Sequence, residues 1–206
     1  MYIDPEDASP FLSIVSAAAP SDASFVPDDL TEVADTRGER ERVRLRLFAA
    51  KALEAMFAEL RACGYDDVSV TKGYVSFDEQ QTLYANTLAS FAALCPEDEA
   101  RARTNAAVPP AGLCEDQLGL SVDIHNLPTA SQAFESESAY RWLYAHCADF
   151  GFVIRYPKNK TELTGHSFEP YHLRFVGRTA AREMAENGWC LEEYASAKDK
   201  DASDEG

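Results

Sequence analysis

The sequence lacks a long apolar run, a surplus of basic residues and closely paired cysteines, and each absence excludes a class of protein. No run of about 18 apolar residues occurs, so the sequence predicts no membrane-spanning helix. Asp and Glu number 35 against 19 Lys and Arg, and the resulting net charge of −16 argues against a nucleic-acid ligand. The five cysteines show no CxxC spacing, so we expect neither a disulfide framework nor a cysteine-type zinc site.

The composition is otherwise that of a folded globular protein. The chain has 206 residues, of which 46% are hydrophobic and 11% aromatic, and this favours one domain with a single core. Near the N-terminus, the apolar stretch FLSIVSAAAP follows Asp4, Glu6 and Asp7, whereas a signal peptide begins with basic residues. We therefore predict no signal peptide in this chain, and the compartment stays open on these grounds.

Periodic patterns predict an α+β domain with a central, mainly antiparallel sheet flanked by helices. Apolar residues recur at helical spacing from Arg40 to Ala62, and Ser76 with Glu79 has the pattern of a capping box that starts the next helix. Alternating residues make GLSVDIH, which ends at His125, a strand. The other predictions, by residue range, are an irregular arm over 1–36, the folded domain over 37–196, a long connection over 95–113, helices over 137–150 and 178–187, strands over 152–156 and 170–176, and a disordered acidic tail over 197–206.

The segment EPYH contains two residues with the chemistry of a hydrolytic metal site. The carboxylate of Glu169 is suited to take a proton from water and return it to a leaving amine, and the imidazole of His172 is suited to bind a metal. Pro170 prevents a helix at this point. A Glu and a His at the start of a strand are more often structural, so the pair alone leaves both interpretations open.

Two segments together resemble motifs of the zinc-dependent D-alanyl-D-alanine carboxypeptidases of the VanY type, in the LAS group of metallopeptidases. CEDQLGLSVD at 114–123 is similar to S-x-H-x-x-G-x-A-x-D, and EPYHLRFVG at 169–177 is similar to E-P-W-H followed by an Arg and a Val-Gly. GFVIRYPKNKTELTG, VPDDLTEV and KALEAMFAEL also resemble segments of the family, so the similarity extends over 10–195. The resemblance implies a LAS-type fold, zinc as cofactor and an extracytoplasmic location.

The resemblance also implies roles for individual residues. Glu169 corresponds to the catalytic acid/base, Asp123 and His172 correspond to zinc ligands, and Asp116 stands where the family has a His ligand. The implied substrate is a peptidoglycan stem peptide or another peptide C-terminus, with no nucleic acid involved. TKGYVSFDEQ resembles a substrate-binding segment of the family, and IRYPKNK is a basic segment that would attract a carboxylate, although a solvated loop explains it equally well. The predicted substrate-binding residues are Tyr74, Ser76, Gln80, Ser121 and Arg155.

Two departures from the family pattern bear on activity. Asp116 replaces a neutral imidazole with a shorter, anionic group, which weakens the pull of a metal on water and shifts preference from zinc toward Mn²⁺, Fe²⁺ or Ca²⁺. Val75 stands where the family has an Arg implied to stabilise the oxyanion. Losing one such group raises the activation free energy by on the order of 3 kcal/mol. The candidates to compensate are His125, which shares a strand face with Asp123, His166 and Lys72.

Two functional hypotheses therefore remain. In the first, the protein is a metal-dependent D,D-carboxypeptidase-like hydrolase of peptidoglycan stem peptides, with zinc or another divalent metal. In the second, it is a catalytically inactive relative that binds a peptide terminus or a protein partner, with no metal. Convergence of Asp116, Asp123 and His172 on a metal would favour the first, whereas a salt bridge from Asp116 to Lys72 or to an arginine would favour the second.

Overall fold

Helices cover a four-stranded antiparallel sheet, which confirms the predicted α+β class with a mainly antiparallel sheet. The computed structural model describes residues 9–37 and 42–204. Within these ranges, none of the helices combines the length and apolar character needed to cross a bilayer. The elements are β1 (Leu30–Glu32), β2 (Arg44–Arg46), α1 (Leu47–Ala62), β3 (Ser69–Lys72), α2 (Phe77–Ala92), α3 (Glu97–Ala107), β4 (Ser121–His125), α4 (Ser138–His146), β5 (Phe152–Ile154), α5 (Thr161–Thr164), β6 (His172–Phe175), α6 (Arg178–Asn187) and α7 (Leu191–Asp204).

The main sheet has the strand order β3-β4-β6-β5, and a separate ribbon pairs β1 with β2. Every residue of β4 and of β6 is buried. On β4, Val122 and Ile124 face the hydrophobic core, so the alternating Ser121, Asp123 and His125 face the other side of the sheet. The two central strands therefore place polar side chains on a covered face, where each polar group needs a partner.

Helix α1 forms the main core with the apolar face of the sheet. Leu53, Met56, Phe57 and Leu60 recur at helical spacing and are each at most 1% exposed. The helix begins at Leu47 and not at Arg40 as predicted, because the residues just before it pair with β1 as strand β2. Residues 38–41, including the predicted start, lie outside the described part of the chain.

The predicted connection over 95–113 is corrected by the structure, which contains helix α3 there. Its first turn carries three acidic residues, beginning at Glu97, and negative charge stabilises a helix N-terminus. Its buried face presents Ala100 and Thr104, and the hydroxyl of Tyr84 on α2 donates to Asn105 Oδ1 at 2.6 Å. Its only apolar residues are four alanines among eleven residues, so its apolar periodicity is too weak to see in the sequence.

The predicted disordered tail also differs from the structure, which continues helix α7 to Asp204. Leu191 and Tyr194 anchor the start of this helix in a second apolar cluster. Lys198 then pairs with Glu183 on α6 at 2.8 Å, which extends the contact along the helix. Residues 205–206 lie outside the described part.

The predicted N-terminal arm is described from residue 9 onward. It is irregular apart from one 3₁₀ turn and β1, and Phe11 packs edge to face on Phe175 with ring centroids 5.3 Å apart. This contact attaches the arm to β6. Residues 1–8 of the prediction lie outside the described part.

Candidate functional site

Three neighbouring strands bring Lys72, Asp123 and His172 into one row on the polar face of the sheet. Asp123 on β4 lies opposite His172 on β6 and, on its other side, opposite Lys72 on β3. The register of β3 shifts between Val70 and Lys72, which is a β-bulge. Without the bulge Thr71 would oppose Asp123, so the bulge turns the Lys72 side chain toward the polar face.

Gly73 allows the backbone at the end of β3 to lie close to Val43 and to Arg44 of β2. A Cβ atom at this position would lie 2.5 Å from Val43 Cγ1 and 2.8 Å from the Arg44 carbonyl oxygen, so only glycine fits without a shift. The next residue, Tyr74, donates its backbone N–H to that same Arg44 oxygen at 2.9 Å. The backbone that carries Lys72 is therefore held on both sides.

Asp116 reaches the row from a 3₁₀ turn that ends at Gly119, whose positive φ of 67° reverses the chain into β4. Ser121 Oγ donates to Asp116 Oδ1 at 2.5 Å, and Lys72 Nζ forms an ion pair with Asp116 Oδ2 at 2.5 Å. Burial opposes ionisation of this carboxyl, which is 2% exposed, but the ammonium lowers the pKa of Asp116 below its usual value. Asp116 in turn raises the pKa of Lys72. The pair is therefore ionic.

His172 lies between two carboxylates. Its Nδ1 is 2.7 Å from Asp123 Oδ1, and its Nε2 is 3.1 Å from Glu115 Oε1. Burial favours the neutral imidazole, yet these hydrogen bonds raise the pKa of His172 well above its usual value. An imidazole can donate to two carboxylates only as the cation. As arranged, His172 therefore has no lone pair to offer a metal.

Glu115 is the centre of a buried ionic cluster. Its Oε2 accepts from Arg155 Nε and from Arg174 Nη1, each at 2.8 Å, while its Oε1 faces His172. Two further bonds of 2.6 and 3.1 Å join Arg155 to Glu192 on α7. Burial raises the pKa of the Glu115 carboxyl, but the guanidinium groups of Arg174 and Arg155 outweigh it and hold this pKa well below the usual value. These charges balance one another inside the protein.

Several members of this cluster were not predicted as site residues. Arg174 alternates with His172 along β6, so period two was the signal that both share a face. Glu115 precedes Asp116 directly, but nothing in the local sequence indicates three cationic partners. Glu192 lies on α7, and only the packing of that helix brings it to Arg155.

The residues predicted to bind substrate occupy different environments. Arg155 is 3% exposed and commits its donors to Glu115 and Glu192, which does not favour a contact with a peptide. Gln80 is also buried, and its Nε2 donates to the Pro109 carbonyl oxygen at 2.6 Å. Their role in substrate binding stays a prediction.

Two of the other predicted substrate-binding residues lie close together. Ser76 caps α2 in the predicted capping box, which is confirmed. The Tyr74 ring packs under the Arg44 guanidinium at 5.3 Å, and burial raises the pKa of Tyr74. Between them, the Val75 backbone donates to the Asp116 carbonyl oxygen at 3.3 Å, so this loop borders the row.

Of the three candidates to compensate, Lys72 forms an ion pair with the predicted ligand Asp116. His125 lies one pleat further along β4 and packs edge to face against Phe134 and Tyr171. The ring of His166 stacks on Tyr156 with centroids 4.2 Å apart, and Tyr156 also stacks on His172 at 5.3 Å.

Glu169 retains the features expected of an acid/base. Its backbone N–H donates to Tyr156, and its carbonyl accepts from the His172 N–H at 3.2 Å, so the residue is fixed beside the row. Burial raises the pKa of its carboxyl group. Among the described residues this carboxyl group forms no hydrogen bond or ion pair with another side chain, and it is free to contact a ligand.

As arranged, these residues do not fit a bound metal ion. Asp116 is neutralised by the Lys72 ammonium, and both nitrogens of His172 are taken by carboxylates. In the part of the chain that the structure describes, no three His, Cys, Asp or Glu side chains are grouped so that they could hold a metal. Metal binding by Asp116, Asp123 and His172 stays a prediction, and the salt bridge is the one that the second hypothesis expects.

Comparison with known proteins shows that the chain is similar to carboxypeptidases. The family model VanY, D-alanyl-D-alanine carboxypeptidase, matches residues 42–178, which include the whole row. The chain is 33% identical to the putative carboxypeptidase YodJ of Bacillus subtilis (strain 168) over 89% of its length. It is 38% identical to a D-alanyl-D-alanine carboxypeptidase of Enterococcus faecalis (strain ATCC 700802 / V583) over 79% of its length. The alignments span 66% and 58% of these two relatives, which is less than two thirds of each.

Solved structures show the same likeness in three dimensions. The LdcB LD-carboxypeptidase, whose structure concerns peptidoglycan recognition, has a TM-score of 0.77 at 31% identity, covering 86% of this chain and 82% of that one. A mutant of the vancomycin resistance D,D-pentapeptidase VanY, solved in complex with Zn(II), has a TM-score of 0.74 at 34% identity, covering 91% and 99%. VanYB in complex with D-alanine-D-alanine has the same TM-score and identity, covering 90% and 97%.

Proposed function

Since this chain belongs to the VanY family of D-alanyl-D-alanine carboxypeptidases, we propose that the polar row of Lys72, Asp123 and His172 binds the C-terminal end of a peptidoglycan stem peptide, without metal-dependent hydrolysis of that end. The observation that carries this proposal is the ion pair of 2.5 Å between Lys72 and Asp116, at the position of a predicted metal ligand. The proposal extends to an extracytoplasmic location, where such peptides occur.

The class of ligand is supported by the relatives. VanYB was solved with D-alanine-D-alanine, and its likeness covers 90% of this chain. LdcB is an LD-carboxypeptidase whose structure concerns peptidoglycan recognition. D-alanine-D-alanine has a small terminal residue with a free carboxylate. We therefore propose a peptide ending in D-alanine.

The charges of the site suit such a ligand. A peptide carboxylate approaching a chain of net charge −16 needs a local cation. The side chain of Lys72 is 38% exposed, and its ammonium has three hydrogens, one of which is directed at Asp116. Lys72 therefore has donors for a peptide carboxylate or carbonyl, where the family motif would have used the Arg that Val75 replaces.

The second candidate is hydrolysis of the same peptide, as the names of the relatives suggest. Glu169 favours it, because an unpaired carboxyl group with a raised pKa is suited to exchange protons with a substrate. Zinc would be the metal by analogy with the VanY complex. The arrangement of Asp116 and His172 opposes it, so we rank it below binding.

The test measures binding and hydrolysis on the same samples. Calorimetry would compare a stem pentapeptide ending in D-Ala-D-Ala with the same peptide ending in L-Ala-L-Ala, and released D-alanine would be assayed with and without added Zn²⁺. We expect saturable binding of the D-peptide alone and no D-alanine release under either condition.

Two results would contradict the proposal. Multiple turnovers that disappear in Glu169→Gln would establish the hydrolase, and equal or absent binding of both peptides would remove the ligand class. The variant Lys51→Met serves as the control, because Lys51 forms an exposed ion pair with Glu54 on α1. This variant should bind the peptide as the unmodified chain does.

A further inference from the structure

We propose that a cavity beside strand β5 is a second binding site, which takes a small ligand with a flat apolar body and a carboxylate group. The cavity has a volume of about 550 Å³, which lies within the range of ligand pockets in proteins. Among the described residues that line it, none belongs to the row of Lys72, Asp123 and His172. The inference therefore goes beyond the proposed function and does not depend on it.

The cavity lies where helices on both faces of the sheet extend past its edge. The strand order places β5 at this edge, and its neighbouring residues Phe152 and Val153 point to opposite faces of the sheet. Phe152 packs in the main core with Leu143 of α4, whereas Val153 packs with Met184 of α6 in the second apolar cluster. Both strand residues and both helices line the cavity, so it spans the edge of the sheet.

Aromatic side chains form the apolar part of the walls. The ring centroid of Tyr140 on α4 lies 5.9 Å from that of Tyr144 and 6.3 Å from that of Phe168. Trp189, which follows α6, lines the cavity from the other helix. Tyr144 is 68% exposed, so a ligand from solvent reaches its ring directly. Aromatic rings stabilise a bound ring through offset-stacked or edge-to-face contacts, and this favours a flat apolar ligand.

The charge at the cavity comes from the basic segment IRYPKNK. Its members separate in the structure, because Arg155 belongs to the buried ionic cluster while Lys158 and Lys160 line the cavity. Lys158 Nζ lies 5.3 Å from the centroid of the Phe168 ring, so its positive charge is beside the aromatic wall. In a chain of net charge −16, such a local cation favours an anionic ligand.

The two lysines differ in how firmly their present partners hold them. Lys160 donates to both carboxylate oxygens of Glu193, at 2.7 and 2.8 Å, and both side chains are about three-quarters buried. Lys158 pairs with Glu135 at 2.6 Å, and these side chains are 57% and 38% exposed. Exposed ion pairs contribute little to stability, so a ligand carboxylate can replace Glu135. Lys158 is therefore the anion-binding group of the site, and Glu135 competes with the ligand.

The experiment titrates full-length protein by calorimetry with three probes that share one ring system: naphthoate, naphthamide and naphthylmethylamine. Because Lys72 is also proposed to bind a carboxylate, every titration is made in Lys72→Met as well as in the unmodified chain. We expect saturable binding of naphthoate by both proteins, weaker binding of the neutral amide, and the weakest binding of the cationic amine.

Two substitutions at the ion pair should change the affinity in opposite directions. Lys158→Gln should weaken the binding of naphthoate at least about fivefold and leave naphthamide unchanged, because it removes a charge-assisted hydrogen bond. Glu135→Gln should strengthen the binding of naphthoate, because it removes the competing carboxylate. Lys51→Gln, at the exposed pair on α1, is the matched control and should bind both probes as the unmodified chain does.

A third substitution fills the cavity. Ala185 lines it from an exposed position on α6, and Ala185→Trp should abolish the binding of naphthoate and of naphthamide. Ala89→Trp, at an exposed position on α2, is its control and should leave binding unchanged. Amide chemical shifts of labelled, unmodified protein should change on addition of naphthoate at Ile154 and Gly188, which line the cavity.

Three results would overturn the inference. They are no binding of naphthoate at millimolar concentration, binding of the amine as tight as that of naphthoate, and binding that persists in a folded Ala185→Trp variant. Near-ultraviolet circular dichroism establishes whether each variant is folded. If Ala185→Trp does not fold, the variants at Lys158 and Glu135 decide, and an unchanged affinity for naphthoate in both would overturn the inference. None of these results bears on the proposed peptide binding, which is measured with other ligands.

Discussion

Loss of the Glu115 carboxylate should strongly weaken the folded state, and Glu115→Gln tests this with almost no change in shape. Its carboxylate is 5% exposed and serves Arg155, Arg174 and His172 together. The amide can still accept a hydrogen bond, but it removes the negative charge. Arg155 keeps Glu192 as a partner, whereas Arg174 keeps, among the described residues, only backbone carbonyl oxygens.

The magnitude follows from burial. Breaking a buried ion pair by removing one partner costs about 3–5 kcal/mol, because an uncompensated charge is left inside the protein. Whole domains have free energies of unfolding of about 5–15 kcal/mol, so this single change would remove a large share. Glu135→Gln is the matched control, since Glu135 pairs with Lys158 at 2.6 Å on the surface. Exposed pairs contribute only about 0–1 kcal/mol.

The assay is urea unfolding followed by the fluorescence of Trp142 and Trp189. We expect a lower midpoint for Glu115→Gln with an unchanged slope, since the surface exposed on unfolding stays the same. A free energy of unfolding within about 1 kcal/mol of the unmodified protein would refute the reasoning, because it would show that the cluster does not depend on its shared carboxylate.

Three further predictions concern the helices. Leu53→Ala in the core of α1 should lower the free energy of unfolding by about 2–5 kcal/mol, and Leu83→Ala, on an exposed face of α2, should lower it far less. Thermal unfolding measures both variants, and similar losses would contradict the described core. Ser76→Ala should lower the free energy of unfolding by about 1 kcal/mol, because it removes the capping box of α2. Ser90→Ala, further along the same helix, should cause no comparable loss. Equal urea midpoints for the two variants would contradict this prediction. The hydrogen bond from Ser76 lowers the pKa of Glu79 in the folded protein. The ionised Glu79 therefore stabilises the fold fully above its ordinary pKa of 4.5, and this stabilisation is lost as the pH falls through the lower pKa of the folded state. The difference in stability between the unmodified protein and Glu79→Gln should therefore shrink between neutral pH and pH 3, and a constant difference would argue against the box.

Much of the fold could be predicted because its signals are local. The capping box at Ser76 and the alternation of Ser121, Asp123 and His125 were both visible in the sequence, and both were confirmed. Each depends on residues a few positions apart, whose geometry follows from one helical turn or one pleat. Helix α3 was missed because alanines are its only apolar residues, and its acidic first turn was the signal that could have found it.

The chemistry of the site was only partly visible. The motifs around Asp116 and Glu169 were enough to identify the family, and the departures at Asp116 and Val75 raised the question of activity. The sequence proposed Lys72, His125 and His166 equally as compensating residues. It contained no indication that Glu115 is shared by three cations, because all three lie on later segments of the chain and form their contacts through tertiary packing.

The sequence by itself determined the family, the identities of the ligand-like side chains and the strand face that carries Asp123. Only the tertiary structure decided which cation meets Asp116. A shift of one residue in a strand moves a side chain to the opposite face of the sheet, and the bulge in β3 makes that shift just before Lys72. Bulges depend on the pairing of distant segments, so no local pattern reveals them. The ion pair between Lys72 and Asp116 is therefore a property of the assembled sheet.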